Sequence, residues 1–490
     1  MRQNIVEDMN QLFKNKVLNI LGVERDLQEL LSDGDVDKAI QMMQDRDEEV
    51  DNALNEYIPQ RHKVMHRPNK KRDKGGDYRS EKLPRNLQSY INEVELFFLL
   101  GQPIIWKKRK GEDEGFNIFK DFWKDNRLDA KIRKVKRLAG AETESALVFH
   151  LYNDNGSMKA LPFVAARSTG YTLRPMFDQY GQMKAFAYGY YLKEGSNTVR
   201  HWDVLTSETI YYCSKTKMGW DVQKYANPVG KIPAVYFQQN KPWMGVEPRL
   251  DRIEELDSKT ADTNNYFSDP IAAATADVIQ NLASPDKPGR LIQLTGSGSS
   301  FSYITPPNGS QPRMEEKTEL KATVFFDTLT PDFDVEKMRG LGTLTGAAIK
   351  NSFAIGYIKR DNLKETYDEA VDRLRSVIVA ILKIQNPTKA SILDELYIDH
   401  EFADPFLSDK EDRWGQITSL YSSGVASLET VVNMLGLTDA PEDEINRIHA
   451  AQMDREWVAN EAKGVPQPSE EAQEQENATG MAQPIENGEE

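Results

Sequence analysis

The sequence predicts an α+β protein in which long helices flank a central antiparallel β region. Three observations point there. Apolar residues recur every three to four positions over 249–267, 314–329 and 360–385, the period of one helix face. Between 146 and 237, short alternating or β-branched runs (ALVFHLY, LPFVAA, AFAYGYYL, TIYYC, AVYF) are separated by turn signals such as Asn153-Asp154-Asn155-Gly156 and Glu194-Gly195-Ser196-Asn197. From Gly464 onward there are seven acids, no bases and hardly any apolar residue, the composition of a disordered acidic tail.

Taken in order, Ile5, Met9, Leu12, Phe13, Leu18 and Leu21 give residues 4–21 the spacing of an amphipathic helix. Asp33-Gly34-Asp35 separates it from a second helix over 36–58. Arg61–Arg85 then carries ten Lys and Arg against three acids and reads as a solvated loop, with a nucleic-acid contact as the alternative. NLQSYINEVELFFLL, 86–100, is an apolar helix stopped by Gly101 and Pro103. Residues 116–139 form another. Its bases Lys131, Arg133, Lys134, Lys136 and Arg137 lack interleaved aromatics and read as a solvated face. After the β region, a helix over 249–267 ends at Asp269-Pro270. Residues 271–312 read as a small insert: an Ala-rich turn, then strands GRLIQL and SFSYI around Gly296–Ser300. The 314–329 helix ends at Thr330-Pro331-Asp332. A loop over 332–345 and a short helix over 346–354 precede the strong 360–385 helix. Helices near 408–422, 427–436 and 441–460 follow, with Ser408 and Ser427 as N-caps.

The charge balance narrows the function. Lys and Arg number 62 and Asp and Glu 77, a net of −15, which argues against holding nucleic acid by charge alone. A single cysteine, Cys213, excludes an internal disulfide framework and a Cys-based zinc cluster, and fits a reducing compartment. The six histidines form no HExxH or closely spaced pair. The longest strongly apolar run, Leu96–Leu100, is far short of the ~20 residues that span a bilayer, so a soluble chain is expected. Gly296–Ser300 lacks the Lys-Ser/Thr of a phosphate-binding loop. Gly340, Gly342 and Gly346 miss the dinucleotide fingerprint by one residue. Asp394, Glu395, Asp399, Glu401 and Asp404 crowd one segment and could hold magnesium, although solvated charge is the better reading. No GxSxG elbow is present. No enzyme and no cofactor are predicted. Two alternatives stay open: a metal-dependent nucleic-acid enzyme built on the 394–404 acids, and a cytosolic DNA-binding protein using 61–85.

Several segments, in order, resemble the portal (head-to-tail connector) proteins of tailed bacteriophages, most closely those of long-tailed phages of Gram-positive hosts. YIPQRHKVMHRP followed by NLQSYINEVELFFLLGQPI resembles the opening of that family's wing domain, with Pro59 in place of a glycine-like position. VGKIPAVYFQQN resembles the strand that ends the wing, and PRLDRIEELDSKTADTNNYFSD the first stem helix. The insert with SFSYITPP resembles the clip. LTPDFDVEKMRGLGTLTGAAIKNSFA resembles the stretch where the second stem helix meets the tunnel loop, with Thr345 where Ser is usual. FADPFLSDKEDRWGQITSLYSSGVASLETVVNMLG resembles the crown entry.

The resemblance implies a portal architecture. It comprises an N-terminal helical arm (1–60), a mixed α/β wing (61–247), stem helices (248–268 and 313–331) and a clip insert (269–312). A tunnel loop with its following helix (332–355), a helical crown (356–460) and an acidic tail (461–490) complete it. It further implies a homo-oligomeric ring, typically of twelve copies, at one capsid vertex, with viral double-stranded DNA in the channel. Terminase large subunit, a head-completion adaptor, and the major capsid and scaffolding proteins are the implied partners. The virion is the implied location, with the host bacterial cytoplasm during assembly and no membrane. Each long helix would keep a polar side toward a water-filled channel. Lys337 and Arg339, with Gly340 and Gly342 as mobile joints, are the candidate channel residues in the loop.

Overall fold

The computed structural model describes residues 26–71, 77–195, 197–267, 271–275, 278–280, 293–295, 297–298, 300–304, 310–334, 350–406, 410–435 and 441–462. The helix expected over 4–21, the start of the one expected at 346, Ser408 and the acidic tail lie outside the described residues. The chain divides into two units, Met1–Pro405 and Phe406–Glu490.

The first unit begins with α1 (Leu27–Ser32), α2 (Val36–Gln41) and α3 (Asp47–Tyr57). Gly34 takes φ +77°, so the break at Asp33–Asp35 is a left-handed turn that glycine adopts without steric cost. The single helix expected over 36–58 is two. Its middle turns because the Gln44 N–H bonds the Pro175 carbonyl at 2.9 Å and the buried Arg46 guanidinium reaches the Thr143 carbonyl at 3.3 Å.

A short hairpin, β1 (Lys70–Lys71) with β2 (Asp77–Tyr78), precedes α4 (Leu87–Leu100), β3 (Ile104–Lys110), α5 (Asp113–Asp125) and α6 (Leu128–Glu142). The helix expected over 116–139 is divided into α5 and α6 at Arg127, whose φ is +50°. Then come β4 (Glu144–Asp154), β5 (Ser157–Ala165), β6 (Thr172–Phe177), β7 (Met183–Glu194), β8 (Asn197–Thr206), β9 (Thr209–Thr216), β10 (Gly219–Ala226) and β11 (Ala234–Gln238); the five runs read from the sequence fall on β4, β5, β7, β9 and β11, and β6, β8 and β10 lie between them. Helix α7 (Glu247–Phe267) leads to the insert, β12 (Ile271–Thr275), β13 (Val278–Gln280), β14 (Gln293–Thr295) and β15 (Ser300–Ile304). Antiparallel ladders join β12 to β15 and β13 to β14, so the Ala-rich segment is a strand rather than a turn. Alanine is small enough to fit either conformation, and the strand partner decides. Helices α8 (Ser310–Asp327), α9 (Ala354–Gln385) and α10 (Ala390–Asp394), then β16 (Tyr397–Phe402), complete the unit.

Period-two alternation builds the layers. Strands β10-β9-β8-β7-β6 form one antiparallel sheet and β11-β4-β5 another. One face of the larger sheet, with Ala185, Ala187, Trp202, Val204 and Cys213, is covered by α1 and α2 through Leu31, Val36 and Ala39. Its other face, with Phe186, Tyr188, Leu205 and Ile210, packs on Ala146, Val148 and Ala234 of the smaller sheet. The opposite side chains of that sheet, Leu147, Phe149, Val235 and Phe237, join Leu99, Phe119, Val135, Leu374 and Ile378 of the surrounding helices. A strand covered on both faces needs an unbroken apolar run, which is what Ala146–Phe149 supplies.

The segment read as a carboxylate cluster is largely β16, paired antiparallel with β3. Ile398 and Phe402 point into the core and Asp399 and Glu401 outward, as a strand dictates. Glu401 pairs with Lys107, Asp394 with Lys383, and Asp404 with Lys350 at 2.6 Å. Three of the five acids are therefore dispersed into separate ion pairs, and Asp399 is exposed on the outer face of the strand. Among the described residues no group of three or more Asp, Glu, His or Cys is placed to hold a metal. No helix among them is long and apolar enough to cross a membrane.

The second unit holds α11 (Lys410–Ser422), α12 (Leu428–Leu435) and α13 (Pro441–Ala462), with Ile417 of α11 and Val431 and Val432 of α12 buried. Ser427 caps α12 as expected, accepting from the Thr430 N–H at 3.2 Å.

Docking of α3 onto the sheets makes a pH prediction. Glu144 is buried beside Arg46, 3.9 Å away, and accepts from the Tyr236 hydroxyl at 2.6 Å. Burial outweighs these partners and pushes its carboxyl up to about 7. Its folded pKa lies above the usual 4.5, so its stabilising contribution is present below that value and is lost as pH rises toward 7. Glu144→Gln, neutral at all pH, is expected to stabilise the protein by about 2 kcal/mol at pH 8 and to leave stability nearly unchanged at pH 4.5. Urea unfolding at the two pH values checks this, and equal effects at both would refute it.

Candidate functional site

Helices α7 and α8 run antiparallel, as Arg249–Asp327, Asp257–Lys317 (2.6 Å) and Thr263–Arg313 (2.9 Å) require. Leu250, Ile253, Val324 and Phe325 form their apolar seam and close on Ile91 and Trp243. Arg252–Glu316, at 2.9 Å, adds a further cross-link.

Of the Arg61–Arg85 stretch, read from the sequence as a solvated loop, residues 61–69 and 79–85 are held by α7. These two pieces lie along α7 as a strap. Glu254, Ser258 and Asp262 of α7 are buried and stand four residues apart, so they share one helix face. They accept from the backbone N–H groups of Arg85 (2.8 Å), Leu83 (3.0 Å) and Glu81 (2.7 Å). Four helical residues rise about 6.0 Å and two extended residues about 6.6 Å, so the two repeats match over this length. The side chains complete the strap. His62 Nδ1 lies 2.6 Å from Glu254, Lys63 2.7 Å from Asp251 and Arg67 2.7 Å from Asp262, while Arg85 pairs with Asp257. The polar side of α7 expected to face a channel is thus, at 254, 258 and 262, enclosed by this chain's own backbone. The acids that bind the strap lie more than 160 residues away in sequence, which is why composition alone could not reveal it.

The predicted loop residues Lys337, Arg339, Gly340 and Gly342 lie outside the described residues. Both flanks of that segment are described, and they meet. The Tyr90 hydroxyl donates to the Pro331 carbonyl and accepts from the Phe333 N–H, both at 2.8 Å. Phe333 packs on Phe353, ring centroids 4.9 Å apart, and on Phe97 and Phe98 at 6.0 and 6.4 Å. The Tyr357 hydroxyl donates to Asp404 at 2.8 Å, on the far flank.

Gly356 is needed for this closure. A Cβ there would fall inside the contact distance of the buried Phe98 ring. Helix propensity alone would favour alanine by about 1 kcal/mol. The packing reverses the sign, and Gly356→Ala is expected to lose about 2 kcal/mol, read as a lower denaturant midpoint at unchanged m-value.

Beneath the cluster lies a charge group that the sequence reading missed. Lys136, expected on a solvated face, has no exposed side-chain surface and lies 2.6 Å from buried Glu95. Lys359 approaches the same carboxylate at 3.8 Å and donates to Thr330 Oγ1 at 3.3 Å. Burial opposes ionisation of Glu95, but Lys136 and Lys359 hold its pKa below the usual range. Burial lowers the Lys359 pKa to about 8, against the pull of Glu95.

Comparison with known proteins follows from this geometry. No curated protein sequence matches the chain. The neck of a native gene transfer agent particle, computed with C12 symmetry, is similar at 10% identity and a TM-score of 0.37, covering 72% of this chain and 90% of that one. The virion of the native gene transfer agent is similar at 9% identity and a TM-score of 0.36, covering 72% and 89%. The model of the family described as "Phage portal protein, SPP1 Gp6-like" matches residues 40–456. That span takes in α3 and the strap, both sheets, the paired long helices, the loop base and most of the second unit, so the chain belongs to the phage portal protein family.

Proposed function

We propose that the chain closes with copies of itself into a ring at one capsid vertex, and that double-stranded DNA passes through the centre during packaging and ejection. The observation that carries this reading is the uncovered face of α8. Phe326 is 70% exposed on the side of α8 turned away from the seam, and Met314, 65% exposed, stands about 120° around the helix from it. Large apolar side chains so placed fit a head-to-tail contact with a second copy, the kind of interface that closes by rotation. Glu315 and Glu319 are also exposed on α8, while Lys63, Arg67 and Arg85 of the strap are engaged by acids of α7. Each cation that meets a phosphate adds counterion-release affinity, so a wall with its bases occupied lets DNA slide.

Lys337 and Arg339 are proposed as the few positive points that meet DNA, with Gly340 and Gly342 as joints of the loop closed at Phe333 and Phe353. The β12–β15 insert is proposed to dock the terminase first and the head-completion adaptor later. Capsid and scaffolding proteins would meet the wing, assigned to 61–247. The helical crown is proposed over 356–460, beginning with α9, whose Tyr367, Leu374 and Ile381 pack in the first unit's core. The chain would assemble in the host cytoplasm and act structurally, with no catalytic step of its own. Electron microscopy of the purified protein tests the reading: a closed ring with a central hole, of about twelve copies by family analogy, is expected. A chain that stays single at every concentration would overturn it.

A further inference from the structure

A cleft of about 360 Å³ opens in the first unit where β7, the turn after β8, the segment before β11 and the middle of α9 converge. Its polar lining is Lys184, Ser207, Lys231, Arg373 and Ser376, and no carboxylate lines it. Lys231 Nζ donates to the Ser376 hydroxyl and lies 3.5 Å from the Ser376 carbonyl. Arg373 Nε is buried without a hydrogen-bond partner among the described residues. The neighbouring charges are engaged elsewhere. Lys184, at the rim, is held by Asp178 at 3.2 Å, Arg375 by Asp372 at 3.3 Å, and Lys383 by Asp394. Among the described residues, neither Lys231 nor Arg373 has a carboxylate within ion-pair distance, and Glu369, one turn before Arg373 on α9, attracts its guanidinium only through space.

Lys231 is exposed at the mouth of the cleft and Arg373 is half-buried within it, and an anion between two such cations would relieve their mutual repulsion. Lys231 reports this strain: burial, then Lys383, Arg373 and Arg375, push its pKa down. Arginine cannot relieve the repulsion by losing its proton. An unpaired buried donor calls for a partner of its own.

We propose that this cleft binds one phosphate group. A carboxylate brings two oxygens and one negative charge. A phosphate brings more oxygens and more charge, enough to meet an ammonium, a guanidinium fork and two hydroxyls together. The group is either a free phosphate ion or a phosphodiester of DNA, which present the same chemistry. The inference does not depend on ring formation.

The test is calorimetric titration of the full-length protein with inorganic phosphate against chloride at matched ionic strength. Saturable binding at one site per chain is expected. Arg373→Gln and Lys231→Met should each weaken it at least tenfold, and Arg373→Lys should retain part of it. Lys231→Met keeps the aliphatic stem, so it decides the matter if Arg373→Gln does not fold. A short DNA duplex that displaces phosphate in an Arg373-dependent way identifies the backbone as the source. A duplex that does not displace it identifies the free ion. Absence of saturable phosphate binding, or binding unchanged in both charge-removing variants, overturns the proposal.

Discussion

Glu95→Gln is expected to destabilise the first unit by about 4 kcal/mol at pH 7, through charge alone, since the replacement keeps the shape of the side chain. Glu95 is the shared counter-charge of Lys136 at 2.6 Å and Lys359 at 3.8 Å, and the three residues tie α4, α6 and α9 together in the core. Without the carboxylate, two buried ammonium groups face each other. The pH dependence separates this cause from a packing defect. Burial already lowers the Lys359 pKa to about 8 in the intact protein. Between that value and the usual 10.5, the unfolded chain binds more protons at Lys359 than the folded one, so its contribution makes stability rise with pH. The variant, with no anion to support either ammonium, should show a wider and steeper rise. Its deficit should therefore shrink from pH 7 to pH 10. Urea unfolding of both proteins at the two pH values measures it. A deficit that is the same at both would mean that the carboxylate is not what neutralises the lysines.

The same group shows what was legible in the sequence. Lys136 sits four residues after Ile132 and three before Ala139, and Glu95 stands four after Ile91 and four before Leu99. Opposite charges embedded in two apolar stripes are the mark of a buried ion pair, but the weight of neighbouring surface bases at 131–137 masked it. Strands β4, β5, β7, β9 and β11 were readable because alternation is a local property. Strand β16 was readable too, in Ile398, His400 and Phe402, but the acids between them drew attention to metal chemistry. The strap was not readable. Its energy comes from acids on α7 far along the chain, and the Glu254, Ser258 and Asp262 stripe became meaningful only once a backbone lay against it. The divisions of the 36–58 and 116–139 helices have a similar origin, in contacts such as Arg46 with Thr143 that local propensity does not contain.

Phe326→Asp is expected to abolish ring assembly while leaving the single chain folded. Phe326 is 70% exposed, so the isolated subunit loses little, within about 0.5 kcal/mol. In the proposed ring each interface would bury this side chain, worth about 1.5–3 kcal/mol per site. An aspartate there adds the cost of desolvating a carboxylate beside Asp327 and Glu319. In a head-to-tail ring the loss recurs at every interface, so it multiplies with the number of subunits and prevents closure at any ordinary concentration. Phe325 provides the contrast. It is 6% exposed in the seam with Leu250 and Ile253, and Phe325→Asp should unfold the helix pair outright. Circular dichroism and urea unfolding report on the fold, and light scattering with electron microscopy on the ring. If Phe326→Asp assembles as readily as the parent chain, this face of α8 is not where copies meet, and the interface must be sought elsewhere on the first unit or on the second.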